Sequence, residues 1–291
     1  MKLPRYITER LEAAQASKML ESLASNSPRF SMRAVDTRVE LEAACRLLYR
    51  EYRRRGYCSD AIPQLHYNPH MFASESRTFI ISSPSNLLGT ISVFPDSSAG
   101  IPADALFRDE IDSFRRKGIR FAEVGLLATD LESIGGYSLR SPEKMQIVFS
   151  LFKVMVSYSL YCGISHLVIL VNPKHAKLYR FLGFKVFSDV RAYHGACGAP
   201  ALPMILELSY FQTRRDTRRW FLENPAPIES FRSQLAGDPQ SFAELFGESF
   251  HDFNDRYNQN IAPRAEVDGK PVSAPGDTLK FSRFDLDPAQ M

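Results

Sequence analysis

The chain has 291 residues, of which 44% are hydrophobic, 12% aromatic and 24% charged, and its 36 basic and 33 acidic side chains give a formal net charge of +3. That composition excludes a disordered, collagen-like or disulfide-scaffold chain, and the length is enough to bury a sizeable core without covalent staples. The four cysteines, Cys45, Cys58, Cys162 and Cys197, form no C-x-x-C pair, which argues against a zinc ribbon or a thioredoxin motif and predicts a reducing, cytoplasmic setting.

The charge is uneven. Residues 1–208 hold 26 basic against 20 acidic side chains, whereas 209–291 hold 10 against 13. A mildly basic body suits an acidic partner, although a solvated surface is the commoner meaning of such a balance. The first 20 residues lack the apolar core of a signal peptide. The most apolar stretch, 145–161, is interrupted by Gln146, Ser150, Lys153, Ser157 and Ser159, so no stable membrane insertion is expected.

In chain order, Ile7, Leu11, Ala14 and Leu20 form an amphipathic N-terminal pattern that ends at Ser25–Pro28. A first strand is predicted over 30–35. A helix follows over 39–54, capped by Asp36 or Thr37, with Leu41, Ala44, Cys45, Leu48 and Tyr52 inward and Gly56 as its stop. Residues 78–82 and 89–94 read as a hairpin, 102–117 as a helix and 120–128 as a strand. Ser141-Pro142-Glu143 opens a helix running to Cys162 that is apolar nearly all round, the pattern of a central buried helix. The run His166–Val171 predicts a strand buried on both faces. A short helix to Leu182, a strand over 184–190 and a last strand over 201–208 complete the body. Beyond it lie a basic helix, an amphipathic stripe of Phe242, Leu245, Phe246, Phe250 and Phe253, and a polar end. The expected architecture is α/β (α+β), a central mixed sheet with helices on both faces. The organisation is an N-terminal extension 1–28, a body 29–208 and a helical C-terminal extension 209–291.

Glu123 sits inside an apolar strand, F-A-E-V-G-L-L-A, where lost solvation raises a carboxyl toward the range of a general base; a solvent-facing edge or a salt bridge is the plainer alternative. Gly125 behind it marks a bulge or a close ligand approach. Tyr179 lies on the short helix after the strand that ends at Asn172, where a phenol can protonate a leaving group, although a core tyrosine would look the same. His66 and His70 have metal-like spacing, but Asn68-Pro69 between them forbids a regular helix and no acidic or cysteine cluster accompanies them, so no metal is expected. Neither a nucleophile elbow nor a phosphate-binding loop is present. Arg53–Arg55 and Arg115–Lys117 are short basic clusters of the kind that usually close helices, and with no aromatic platform beside them nucleic acid is not expected.

The order of strand, crossover helix, apolar strand and then N-P-x-H-x-x-x-Y-x-x-L-G-F resembles the GCN5-related N-acetyltransferase (GNAT) fold. The pyrophosphate loop usual in acetyl-CoA enzymes of that fold is missing; D-L-E-S-I-G-G-Y-S-L-R-S-P stands in its place. A narrower resemblance covers residues 45–208. L-Y-R-E-Y-R-R-R-G-Y (48–57), G-T-I-S-V-F-P-D-S-S-A-G-I-P-A-D (89–104), E-I-D-S-F-R-R-K-G-I-R-F-A-E-V-G-L-L-A (110–128) and N-P-K-H-A-K-L-Y-R-F-L-G-F (172–184) are similar to the long-chain N-acyl amino acid synthases, relatives of the acyl-homoserine lactone synthases.

That resemblance implies transfer of a fatty acyl group from the phosphopantetheine of acyl carrier protein to the amine of an amino acid, with no bound cofactor. Glu123 would be the base, or hold the water that is the base, and Tyr179 would protonate the departing thiolate. The backbone of Val124, Gly125, Leu126 and Leu127 would bind the thioester and pantetheine, beside Asn172. Asp96 would position the amine or cap a turn, and Arg191 and Tyr193 would hold the acceptor carboxylate. Arg53, Arg54, Arg55, Arg115, Arg116 and Lys117 would face the acidic carrier protein. The alternatives are acyl-homoserine lactone synthesis, another amine acceptor, or a non-catalytic carrier-binding module.

Overall fold

A computed structural model describes residues 30–60, 64–130, 142–213, 220–223 and 225–235. The N-terminal amphipathic pattern, the Ser141 cap and the Phe242–Phe253 stripe lie outside them.

The strands β1 (Ser31–Ala34), β2 (Arg77–Ser82), β3 (Leu87–Pro95), β4 (Phe121–Thr129), β5 (His166–Val171), β6 (Lys185–Val186), β7 (Arg191–Tyr193) and β8 (Ala199–Glu207) form one mixed sheet. Its order is β1-β2-β3-β4-β5-β8-β6, with β7 paired to β8. Neighbours are antiparallel except β4 and β5, which run parallel because α3 (Pro142–Tyr161) crosses between them. The strand expected over 184–190 is shorter, pairing only at Lys185 and Val186. The Ser188 hydroxyl turns instead to Glu110 Oε1 at 2.6 Å.

Two helices cover one face. Of the two caps the sequence allows, Thr37 caps α1 (Arg38–Arg54): its Oγ1 accepts from the Glu40 amide at 3.3 Å, and Glu40 Oε2 accepts from the Thr37 amide at 3.3 Å. Leu41, Ala44 and Cys45 of α1 pack with Phe94. Phe107 and Ile111 of α2 (Asp104–Arg116) pack with Phe121 and Val168. Phe94 stands opposite Glu123, and Glu123 opposite Val168, so these three residues form a row on the same face, beneath α1 and α2.

The other face carries α3. Its all-round apolarity has a direct cause: the sheet packs on one side, and the segment after β8 packs on the other. Phe211, Phe221 and Phe231 are buried in the same core as Phe149, Phe152 and Val156 of α3. The Ala226 amide donates to Ser157 Oγ at 3.1 Å, and Arg77 Nε donates to the Phe231 carbonyl at 3.0 Å. A body ending at 208 therefore cuts through one core, which takes in Phe211, Phe221 and Phe231. Gly183 (φ +98°) admits this packing, since the Tyr210 ring lies where its Cβ would stand.

Candidate active site

The site arises from a fault in the sheet. β4 and β5 pair only at Phe121–His166, Ala122–Leu167 and Glu123–Val168, and the ladder stops there. Beyond it a cleft of about 240 Å³ is lined by Val124–Thr129 on one side and Ile169–Asn172 on the other. On the β3 side, Thr90 faces Ala128 but Ser92 faces Gly125, so Leu126 and Leu127 together oppose Ile91. This is a β-bulge, and Leu126 takes a left-handed φ of +51° to make it. Gly125, Leu126 and Leu127 all line the cleft, so the bulge lies in its wall, at the position where Gly125 signals an irregularity.

Glu123 stands on the last rung of that ladder, next to the cleft residue Val124; it is 5% exposed and does not itself line the cleft. The Ala103 amide, at the entrance to α2, donates to its Oε2 at 2.5 Å. Burial pushes the carboxyl up to about 8; the Ala103 hydrogen bond opposes this and the nearby Asp104 adds to it. Tyr193 is near enough that the Glu123 charge, second to burial, raises its phenol pKa.

Tyr179, on α4 (Ala176–Phe181), lines the cleft between Phe152 and Phe184, with ring centroids at 6.0 and 5.8 Å. Burial raises its phenol to about 12, so it keeps its proton at neutral pH. Asn172 also lines the cleft, and its Oδ1 accepts from the Lys174 amide at 3.2 Å.

The other sequence candidates separate. Arg115 is not a surface charge: it is bidentate to Asp96 (3.0 and 2.6 Å) and to Asp104 (2.8 and 2.7 Å), and it reaches Asp112 at 2.6 Å. Asp96 is thereby engaged with Arg115. Arg191 pairs with Glu110 Oε1 at 2.5 Å and lies over the Phe107 ring at 4.5 Å, tying β7 to α2. Arg53 pairs with Asp60, and Arg54 pairs with the buried Glu51 at 2.6 Å. Arg116 and Lys117 are exposed at the end of α2, and Arg55 lines the cleft.

His70 is buried, its Nε2 3.1 Å from the Ala99 carbonyl oxygen and its Nδ1 2.7 Å from Asn68 Oδ1. Among the described residues, no group of three or more His, Cys, Asp or Glu side chains is arranged to hold a metal ion. No helix among them is long and apolar enough to cross a membrane.

Sequence reasoning missed Tyr57 and His175 as cleft residues and placed Tyr52 only on an inner helix face. The Tyr52 ring meets Tyr57 edge-on at 5.9 Å and His66 at 4.7 Å. The helix periodicity carried a signal for Tyr52 alone.

The family model for the N-acyl amino acid synthase FeeM matches residues 43–207. Among solved structures, FeeM, an N-acyl amino acid synthase from uncultured soil microbes, is 28% identical, with a TM-score of 0.56 over 66% of this chain and 97% of that one. The AHL synthase LasI is 13% identical over 68% of this chain and 96% of that one, with a TM-score of 0.47. No curated protein matches the chain. The matched residues take in both walls of the cleft, Glu123 and Tyr179, and the chain belongs to the FeeM family of N-acyl amino acid synthases, with the mixed α/β fold of the GNAT type and the activity of an N-acyltransferase.

Proposed function

We propose that the enzyme transfers a long-chain fatty acyl group from acyl carrier protein to the amine of an amino acid, in the cytoplasm. The observation that carries this reading is the parting of β4 from β5 immediately past Glu123, which opens a cleft that begins at Val124 and is lined by Tyr179. The thioester lies along Val124–Leu127, its acyl chain among the apolar groups of α3, and its carbonyl oxygen is stabilised by the bulged backbone. Glu123 takes the proton from the acceptor ammonium, directly or through water. The freed amine attacks the thioester carbonyl, the C–N bond forms, the C–S bond breaks, and Tyr179 protonates the leaving thiolate. Attack is direct, since no cysteine or serine is among the residues that line the cleft.

The carrier protein is favoured as donor by the missing pyrophosphate loop and by the basic body. Carrier proteins are acidic, and exposed Arg53, Arg116 and Lys117 suit such a surface; Arg115 does not, being engaged inside the protein. The test compares acyl-carrier protein with acyl-CoA at equal concentration. The carrier should be the faster donor, and its rate should fall with salt, because screening shortens the reach of surface charge to about 10 Å at 0.1 M. A clear preference for acyl-CoA contradicts this reading.

A further inference from the structure

The geometry points to Arg55 and Tyr57 as the recognition site for the carboxylate of the acceptor, a role that rests on the amino-acid reading above and replaces Arg191 in it. Arg191 is committed to Glu110 and Phe107 and does not line the cleft. Arg55 does line it. Its contacts with Glu51, to Oε2 at 3.3 Å and to the carbonyl at 3.3 Å, are both made by Nη1. Nη2 and Nε make no hydrogen bond among the described residues, so the edge of the guanidinium that pairs with a carboxylate is available.

Tyr57 supplies an independent observation. It lines the same cleft, and its hydroxyl is out of contact with solvent without a hydrogen-bond partner among the described residues. A buried hydroxyl in that condition is costly unless a ligand completes it. The surroundings favour an anion. Lys174 Nζ lies over the Tyr57 ring at 5.4 Å, and Lys174 and Arg55 add to burial in holding His175, a third cleft residue, below the ordinary histidine range.

Two anions can be present during the reaction, the acceptor carboxylate and the phosphate of the donor arm. The faces of the sheet favour the carboxylate. Glu123 lies under α1 and α2, and Arg55 and Tyr57 follow from α1 on that face. The opposite face, beneath α3, carries Ala122 and Val124 and the apolar wall suited to the acyl chain. An amine reaching Glu123 from the α1 side brings its carboxylate with it.

The test uses the full chain, an acyl-carrier donor, the best amino-acid acceptor and the amine obtained by decarboxylating that amino acid. Arg55→Gln should raise the acceptor KM by about 10-fold or more, with the donor KM unchanged. Tyr57→Phe, which deletes one oxygen and leaves the Glu51 contacts intact, should raise the acceptor KM in the same direction even if Arg55→Gln fails to fold. Both variants should acylate the decarboxylated amine as wild type does. An unchanged acceptor KM in Tyr57→Phe and any folded Arg55 variant overturns the assignment, and a rise confined to the donor KM overturns it in favour of the phosphate. If wild type acylates the decarboxylated amine but no amino acid, the amino-acid reading itself has failed.

Discussion

The Ala103 amide donates to Glu123 Oε2 at 2.5 Å, so the entrance to α2 holds the buried carboxyl of β4 on the last rung before the cleft. This contact fixes where the carboxyl sits, while burial sets when it ionises. Glu123→Gln keeps the hydrogen-bond acceptor and removes the base. Turnover should fall by about 10²–10⁴-fold.

Stability should move the other way. The folded carboxyl holds its proton up to about 8 against an ordinary 4.5. Below the ordinary value, wild type and Glu123→Gln lose nothing to ionisation. As pH rises toward 8, the unfolded chain ionises freely and the folded one does not, so wild type loses stability that the variant keeps. The gap should grow across that window to the order of a few kcal/mol and then level off. Denaturant unfolding at several pH values measures it. A variant both less stable and less active would mean a structural carboxyl.

Tyr179→Phe should lower kcat by about 10²-fold or more with little change in acceptor KM, since the phenol acts on the leaving thiolate and not on the amine. Steady-state kinetics with both substrates varied separates the two constants. An unchanged kcat would mark Tyr179 as a packing residue between Phe152 and Phe184.

Arg115→Met should destabilise the fold by about 3–5 kcal/mol, because Asp96, Asp104 and Asp112 would lose their shared counter-charge in a largely buried setting. It should also push the Glu123 carboxyl higher, since the Asp104 charge already acts on it in that direction. The pH–rate profile of any folded Arg115 variant should shift its rising limb to more alkaline pH.

Removing the chain after Leu222 should not be innocuous. Phe231 is 5% exposed, with its ring 5.4 Å from Tyr158 and 6.1 Å from Phe79. Phe231→Ala should cost about 3–5 kcal/mol, measurable by thermal or denaturant unfolding. A chain ending at 235 should keep this core; one ending at 222 should lose it.

The strand–helix alternation was legible because periodicity reports burial. Thr37, Gly56 and the apolar run His166–Val171 each carry a local physical signal. So did Glu123, a carboxyl among apolar neighbours. What the sequence could not show was convergence across long separations. Arg115 reads as part of a charged helix end, yet Asp96 and Asp104 meet it from the end of β3 and the start of α2. Arg55 reads as the third of three arginines, and only the fold turns it into the cleft while Arg54 takes Glu51. Residues 209–291 are net acidic where the body is net basic, which suggested a boundary at 208, but Phe211, Phe221 and Phe231 join the core beside α3.

The most direct measurement is the mass of the product formed when purified protein meets a long-chain acyl-carrier protein and a mixture of amino acids, run beside Glu123→Gln. If the cleft beyond Glu123 is an acyl-transfer site, wild type should yield an N-acyl amino acid with stoichiometric release of carrier thiol, and the folded variant about 10²-fold less or lower. Equal product from both proteins, or thiol release without any N-acyl amino acid, would contradict it.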